Sequence, residues 1–200
     1  DAAVRLLLDT SASMDVGGKW HHAASVAAAF GFAALLGRDT VRVHTLSTAS
    51  TRLFSGRRGV TPMLEHLAAL PTGGRTDFDA AIGLLVAQPG PPGVTVVVSD
   101  LLSRDWAPSL DRLAHPRRDV VVVHVLHPDE LHTRLHGDHE LVDVETGERV
   151  EVTMNERSRR TASDDARRWQ VERAAEVTAR GHAYHLVLVG DDPVPAVLAH

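Results

Sequence analysis

The sequence predicts one α/β domain over residues 1–200, a doubly wound, mostly parallel six-stranded sheet with helices on both faces. Three observations carry this expectation. Val4–Leu8, Val94–Val98, Val120–Leu126 and Tyr184–Val189 are apolar runs of the kind that strands covered on both faces require. Helical stretches alternate with them, as in βαβ units. A chain of 200 residues leaves little room for a second domain.

The elements follow in order. Val4–Leu8 opens the sheet, and Lys19–Leu36 is a long helix, apolar nearly all round and expected to be largely buried. Val41–Leu46 and Arg52–Phe54, separated by Ser/Thr turn residues, read as an edge pair containing one antiparallel strand. Pro62–Leu70 and Phe78–Ala87 are shorter helices, and Gln88–Gly93 is a Pro/Gly loop before the strand at Val94. Pro108–Leu113 is helical. Leu141–Val144 and Arg149–Val152 flank Glu145-Thr146-Gly147-Glu148 and predict an inserted β-hairpin near 141–152. Glu156–Arg160 reads as a solvated helix start. Arg167–Arg180 places Val171, Ala174, Ala175 and Thr178 on one face of an outer helix.

Composition excludes several function classes. With no cysteine, there is no disulfide framework, thiolate metal site or cysteine nucleophile. The net charge of −5 argues against nucleic-acid binding, which needs a basic stripe. No apolar run approaches the roughly 20 residues of a membrane span, so no membrane contact is expected from this segment. No signal peptide is visible, and the absence of an initiator Met points to a processed product or a fragment of a longer protein. Lys19 is the only lysine among 21 basic residues, which we read as compositional bias.

In a doubly wound sheet, ligands sit beyond the carboxyl ends of the strands, where strand order reverses. Three segments should meet there: Asp9-Thr10-Ser11-Ala12-Ser13, Gly73-Gly74-Arg75-Thr76-Asp77 and Ser99-Asp100. Their side chains suit one hard divalent cation, which takes oxygen ligands. Ser11, Ser13 and Thr76 offer neutral hydroxyls; Asp9 and Asp100 supply charge directly or through water. Residues 9, 11 and 13 of an extended turn point the same way, and Gly73 and Gly74 permit the close approach that brings Thr76 into range. Mg²⁺ is the first choice among Mg²⁺, Mn²⁺ and Ca²⁺.

Asp9-x-Ser11-x-Ser13 followed by Thr76 and Asp100 resembles the metal-ion-dependent adhesion site (MIDAS) of von Willebrand factor A (vWA) domains. More narrowly, LLLDTSASM, GGRTDFDAAI and VVVSDLL resemble the bacterial family catalogued as domain of unknown function 58. The resemblance spans essentially the whole chain. It implies a protein-binding module, not an enzyme, whose cation is completed by a Glu or Asp from a protein partner. The partner class it implies is a MoxR-type AAA+ ATPase. It also implies a cytoplasmic location, with tethering to the membrane through segments outside this chain.

Two other classes share parts of this pattern. Asp9 after the first strand resembles a phosphoaspartate position in a metal-dependent hydrolase or phosphotransferase. Ser11, however, stands where a haloacid-dehalogenase-like pattern has a second Asp, and no G-x-G-x-x-G follows the strand. A vWA domain serving only as scaffold is the other alternative. His132 and His136 are spaced as a helical pair of metal ligands, without an accompanying HExxH. Trp106, six residues after Asp100, is a candidate for the wall of the metal face.

Overall fold

The computed structural model describes residues 3–47, 50–87, 91–113, 118–192 and 195. Strand β1 (Ala3–Leu8) leads through a 3-10 segment (Ala12–Gly18) into helix α1 (Lys19–Leu36). Next come β2 (Thr40–Thr45), β3 (Thr51–Ser55), α2 (Val60–Ala68), α3 (Phe78–Ala87), β4 (Gly93–Ser99) and α4 (Trp106–Asp111). The chain continues through β5 (Arg118–Leu126), α5 (Pro128–Leu131), β6 (Gly137–Val142), β7 (Arg149–Met154), α6 (Glu156–Ala179) and β8 (Ala183–Leu188).

Six strands form one sheet in the order β3-β2-β1-β4-β5-β8, and only β3 runs antiparallel to its neighbour. The side-chain alternation of a strand divides its apolar residues between two cores. Leu6, Leu8, Val96, Val98, Val121 and Val123 pack against α1 and α2. Leu7, Val97, Val120 and Val122 pack on the other face with residues of α3 and α4 and with Val177 of α6. From β1 the chain moves first to β2 on one side and later to β4 on the other. Strand order therefore reverses between β1 and β4, which places the ends carrying Asp9 and Asp100 at the switch point.

Several expectations are corrected. Helix α1 is half buried: Phe32 is 45% exposed, whereas Trp20, Val26 and Phe30 face the core. Helix α6 begins at Glu156, at the expected helix start, and runs continuously into the outer helix; Asn155 Oδ1 accepts from Ser158 N and Ser158 Oγ accepts from Asn155 N. Its buried face is not the expected one, because Val171 is 61% exposed while Val177 is closed to solvent. The contact that turns this face toward α4 is cationic and aromatic: the Arg173 guanidinium lies 5.4 Å from the Trp106 ring centre, and 5.6 Å from that of Trp169 on its own helix. Trp106 is thus buried under α6 and does not wall the metal face.

The hairpin starts earlier than predicted, at Gly137, and its first strand stops at Val142 because the Asp143 carboxylate takes over the turn. His132 and His136 share no helix, since α5 ends at Leu131. Residues 88–90 of the Pro/Gly loop lie outside the described residues, and Gly93 already belongs to β4. No helix among the described residues is long and apolar enough to cross a membrane.

Candidate functional site

The three predicted segments meet. Leu8 pairs with Val98 in the parallel ladder, so β1 and β4 end side by side and deliver Asp9 and Asp100 to adjacent positions. Ala12 N donates to Gly74 O (3.0 Å) and Gly73 N to Thr10 O (2.8 Å), which stitches the first loop to the loop before α3. Gly73 (φ 131°) and Gly74 (φ 74°) occupy backbone conformations that disfavour side chains, and this is what folds that loop against the site.

Asp9 is the hub. Its Oδ1 accepts from Thr76 Oγ1 (2.7 Å) and Ser11 N (3.0 Å), and its Oδ2 accepts from Ser99 Oγ (2.6 Å). Ser11 Oγ and Ser13 Oγ stand 3.0 Å apart. Asp9, Ser11, Ser13 and Asp100 are buried and Thr76 is half-buried, so the pocket admits little water. Burial, and next the charge of Asp100, push the Asp9 carboxyl above its ordinary range against the lowering effect of its three donors. Asp77 instead accepts from Ala80 N (2.8 Å) and caps α3.

Four further residues belong to the site without having been predicted as ligands, although Ser99 lies in a segment expected there. Lys19 Nζ lies 2.9 Å from Asp100 Oδ2 and 2.8 Å from Glu130 Oε1, in a position closed to solvent. The sole lysine is therefore a site residue, and its uniqueness was the signal available. Burial alone would pull its ammonium down, but Asp100 and Glu130 together raise it. Ser99 orients Asp9 and also accepts from Leu101 N (3.0 Å), holding Leu101 at a left-handed φ of 54°. His124 interrupts the apolar run Val120–Leu126 directly beneath the site. Its Nε2 donates to the Asp100 carbonyl (2.9 Å), which leaves Nδ1 to accept from the Tyr184 hydroxyl (2.8 Å); that hydroxyl accepts in turn from Gln170 Nε2 (2.8 Å). Burial lowers the His124 pKa to about 4, in keeping with this neutral tautomer.

The donors fit a hard dication. Adjacent oxygens around an octahedral ion at 2.0–2.1 Å are about 3.0 Å apart, the spacing of the Ser11 and Ser13 hydroxyls. Asp9, Asp100 and Glu130 against Lys19 leave an excess of two negative charges. Among the described residues no three His, Asp or Glu side chains gather as a metal cage, so any such site draws on hydroxyls.

Comparison with known proteins agrees with the topology. The model of the family described as protein of unknown function DUF58 matches residues 1–173. No curated protein sequence matches. Among solved structures, the conserved hypothetical protein BatB from Bacteroides thetaiotaomicron is similar with a TM-score of 0.58 at 16% identity, over 100% of this chain and 95% of that one. An aerotolerance-related membrane protein from Bacteroides fragilis gives 0.59 at 19% identity, over 100% and 96%. The VWA domain of SpRpn10 gives 0.54 at 12% identity, over 98% and 93%. At such identities the likeness is one of fold, and the fold is vWA-like.

Proposed function

The chain belongs to the DUF58 family of proteins of unknown function, and from that premise we propose that it is a metal-dependent protein-binding module. Asp9, Ser11, Ser13, Thr76 and Asp100 would hold one divalent cation, Mg²⁺ before Mn²⁺ or Ca²⁺. When bound, that ion supplies a positive centre with an exchangeable position that an acidic side chain of a partner protein fills. Ser11, Ser13 and Thr76 present neutral oxygens, so the ion keeps charge with which to attract a carboxylate. Ser99 and His124 hold Asp9 and Asp100 in place.

The observation that carries this reading is the 3.0 Å separation of the Ser11 and Ser13 hydroxyls beside Asp9. A binding role suits Asp9 better than a nucleophilic one, because both its carboxylate oxygens are already engaged by Ser11, Thr76 and Ser99. The partner class suggested by family resemblance is a MoxR-type AAA+ ATPase. The Bacteroides fragilis neighbour is described as a membrane protein, which supports tethering to a membrane through segments outside this chain; a cytoplasmic location for the module rests on the family resemblance. Calorimetric titration with MgCl₂ or MnCl₂ tests the proposal: the native chain binds one ion, and Asp9→Ala and Asp100→Ala abolish binding. Equal titration of native and variant chains would refute it.

A further inference from the structure

The hairpin β6–β7 forms a two-stranded sheet of its own, with no ladder to the main sheet. Its tip is nevertheless well defined. Asp143 Oδ1 accepts from Glu145 N (2.8 Å) and Thr146 N (3.0 Å), while Asp143 N donates to Glu148 O (2.8 Å) and Gly147 N to Asp143 O (2.8 Å). These bonds fix the direction in which Glu145 leaves the turn.

Two hollows lie beneath the tip. One, of about 720 Å³, is bordered on the site side by Ser13 and Lys19. The other, of about 910 Å³, is bordered by Thr76 and Arg75. Glu145 lines both. Ser13 and Thr76 approach the candidate ion position from different loops, so a side chain bordering both hollows stands across its mouth. Between residues 141 and 151, Glu145 alone is half-buried, while its neighbours are exposed. Burial, then the charges of Asp9 and Asp100, push its carboxyl up, with Arg75 acting in the opposite sense. The Glu145 carboxylate thus senses the two acids of the site, and a dication between them would turn that repulsion into attraction.

We propose that Glu145 is the chain's own acidic ligand: the hairpin tip offers its carboxylate to the open position of the cation and shields the site until a partner's carboxylate displaces it. This rests on the metal-binding reading of Asp9, Ser11, Ser13, Thr76 and Asp100. The hairpin suits such a role, because a segment unpaired with the main sheet lifts away at low cost. Leu141, Val144 and Val150, each close to half exposed, border the smaller hollow, and lifting the tip would open that apolar wall to the incoming partner.

The test uses the intact chain and MnCl₂ or MgCl₂ alone. Glu145→Gln lowers Mn²⁺ affinity at least about tenfold, because affinity follows the charge count of the ligands. Glu148→Gln, a neighbour lining the same hollows, changes it little. Mg²⁺ slows hydrogen exchange at the amides of residues 145–148 in the native chain and not in Glu145→Gln, and added sodium acetate reverses that slowing. Native Mn²⁺ affinity in Glu145→Gln, or exchange at the tip that ignores Mg²⁺, overturns the role of Glu145 while leaving the metal site standing. An equal loss in Glu148→Gln overturns it too, since general surface charge would then account for the effect. A native chain that binds no Mn²⁺, or an Asp9→Ala variant that binds it normally, removes the metal site and the internal ligand with it.

Discussion

The Lys19 ammonium lies 2.9 Å from Asp100 Oδ2, with both side chains 2% exposed or less. A buried ion pair at the carboxyl edge of a sheet gives the Asp100 carboxylate a resident counter-charge. Its second partner, Glu130, reaches in from α5, whose capping box holds it through His127 N (2.6 Å). The first helix and α5 are thereby joined electrostatically across the site.

Replacing Lys19 by Met should be costly without metal. Removing one partner of a buried pair leaves an uncompensated charge and costs about 3–5 kcal/mol. For a chain of this size that lowers Tm by about 10 °C, as scanning calorimetry in EDTA would show. Mg²⁺ should recover part of the loss, giving Lys19→Met a larger Mg²⁺-induced shift than the native chain. An unchanged Tm in EDTA would show that the pair contributes nothing.

Ser99→Ala should weaken the metal site without removing a proposed ligand. Asp9 Oδ2 loses its 2.6 Å donor, and the Leu101 amide loses its acceptor. Loss of an orienting partner typically lowers metal affinity about 10–100-fold, and Mn²⁺ titration reads it directly. Native affinity in this variant would mean that Asp9 needs no help from Ser99.

Stability should fall on mild acidification, in part through His44. Burial first, then Arg42 and Arg5, lower its pKa from 6.5 to about 4. Between those values the unfolded chain takes up a proton that the folded chain refuses, so stability rises with pH across the window. The contribution is complete above pH 6.5 and lost on descending toward pH 4, a change on the order of 3 kcal/mol. Urea titrations of His44→Gln should show a flatter slope there. His124, also near 4, leaves a residual dependence. Parallel pH profiles for the two proteins would contradict the assignment.

Gly93→Ala should come close to preventing folding. Gly93 sits at φ 154°, and an added Cβ would lie 2.0 Å from the carbonyl oxygen of Ala3 in the neighbouring strand. Strand β1 cannot yield without disturbing both ladders it shares. The cost is about 3 kcal/mol or more, measurable as a lower denaturation midpoint. Near-native stability would show that the β1–β4 ladder has slack there.

Much of the fold was legible because its signals are local. The run Val94–Val98 announces a strand sealed on both faces, and both faces are in fact sealed, by α1 and α2 on one side and α3 and α4 on the other. The hairpin was visible in its turn residues, although the Asp143 side chain shortened its first strand. The buried face of the outer helix was not legible for a physical reason: hydrophobic periodicity looks for aliphatic contact, and α6 meets α4 through Arg173 lying against Trp106.

The sequence by itself determined which chemistry was at hand: hydroxyls at Ser11, Ser13 and Thr76, carboxylates at Asp9 and Asp100, and strands ending where those residues begin. Only the tertiary structure decided their company. Lys19 meets Asp100 across 81 positions and Glu130 across 111, and Glu145 borders hollows that Ser13, Lys19 and Thr76, far away in sequence, also line. Strand and helix periods report which face of an element is buried, since that depends on near neighbours in sequence. Which charges lie side by side depends on the order in which strands join the sheet, and that order emerges only when the whole chain packs.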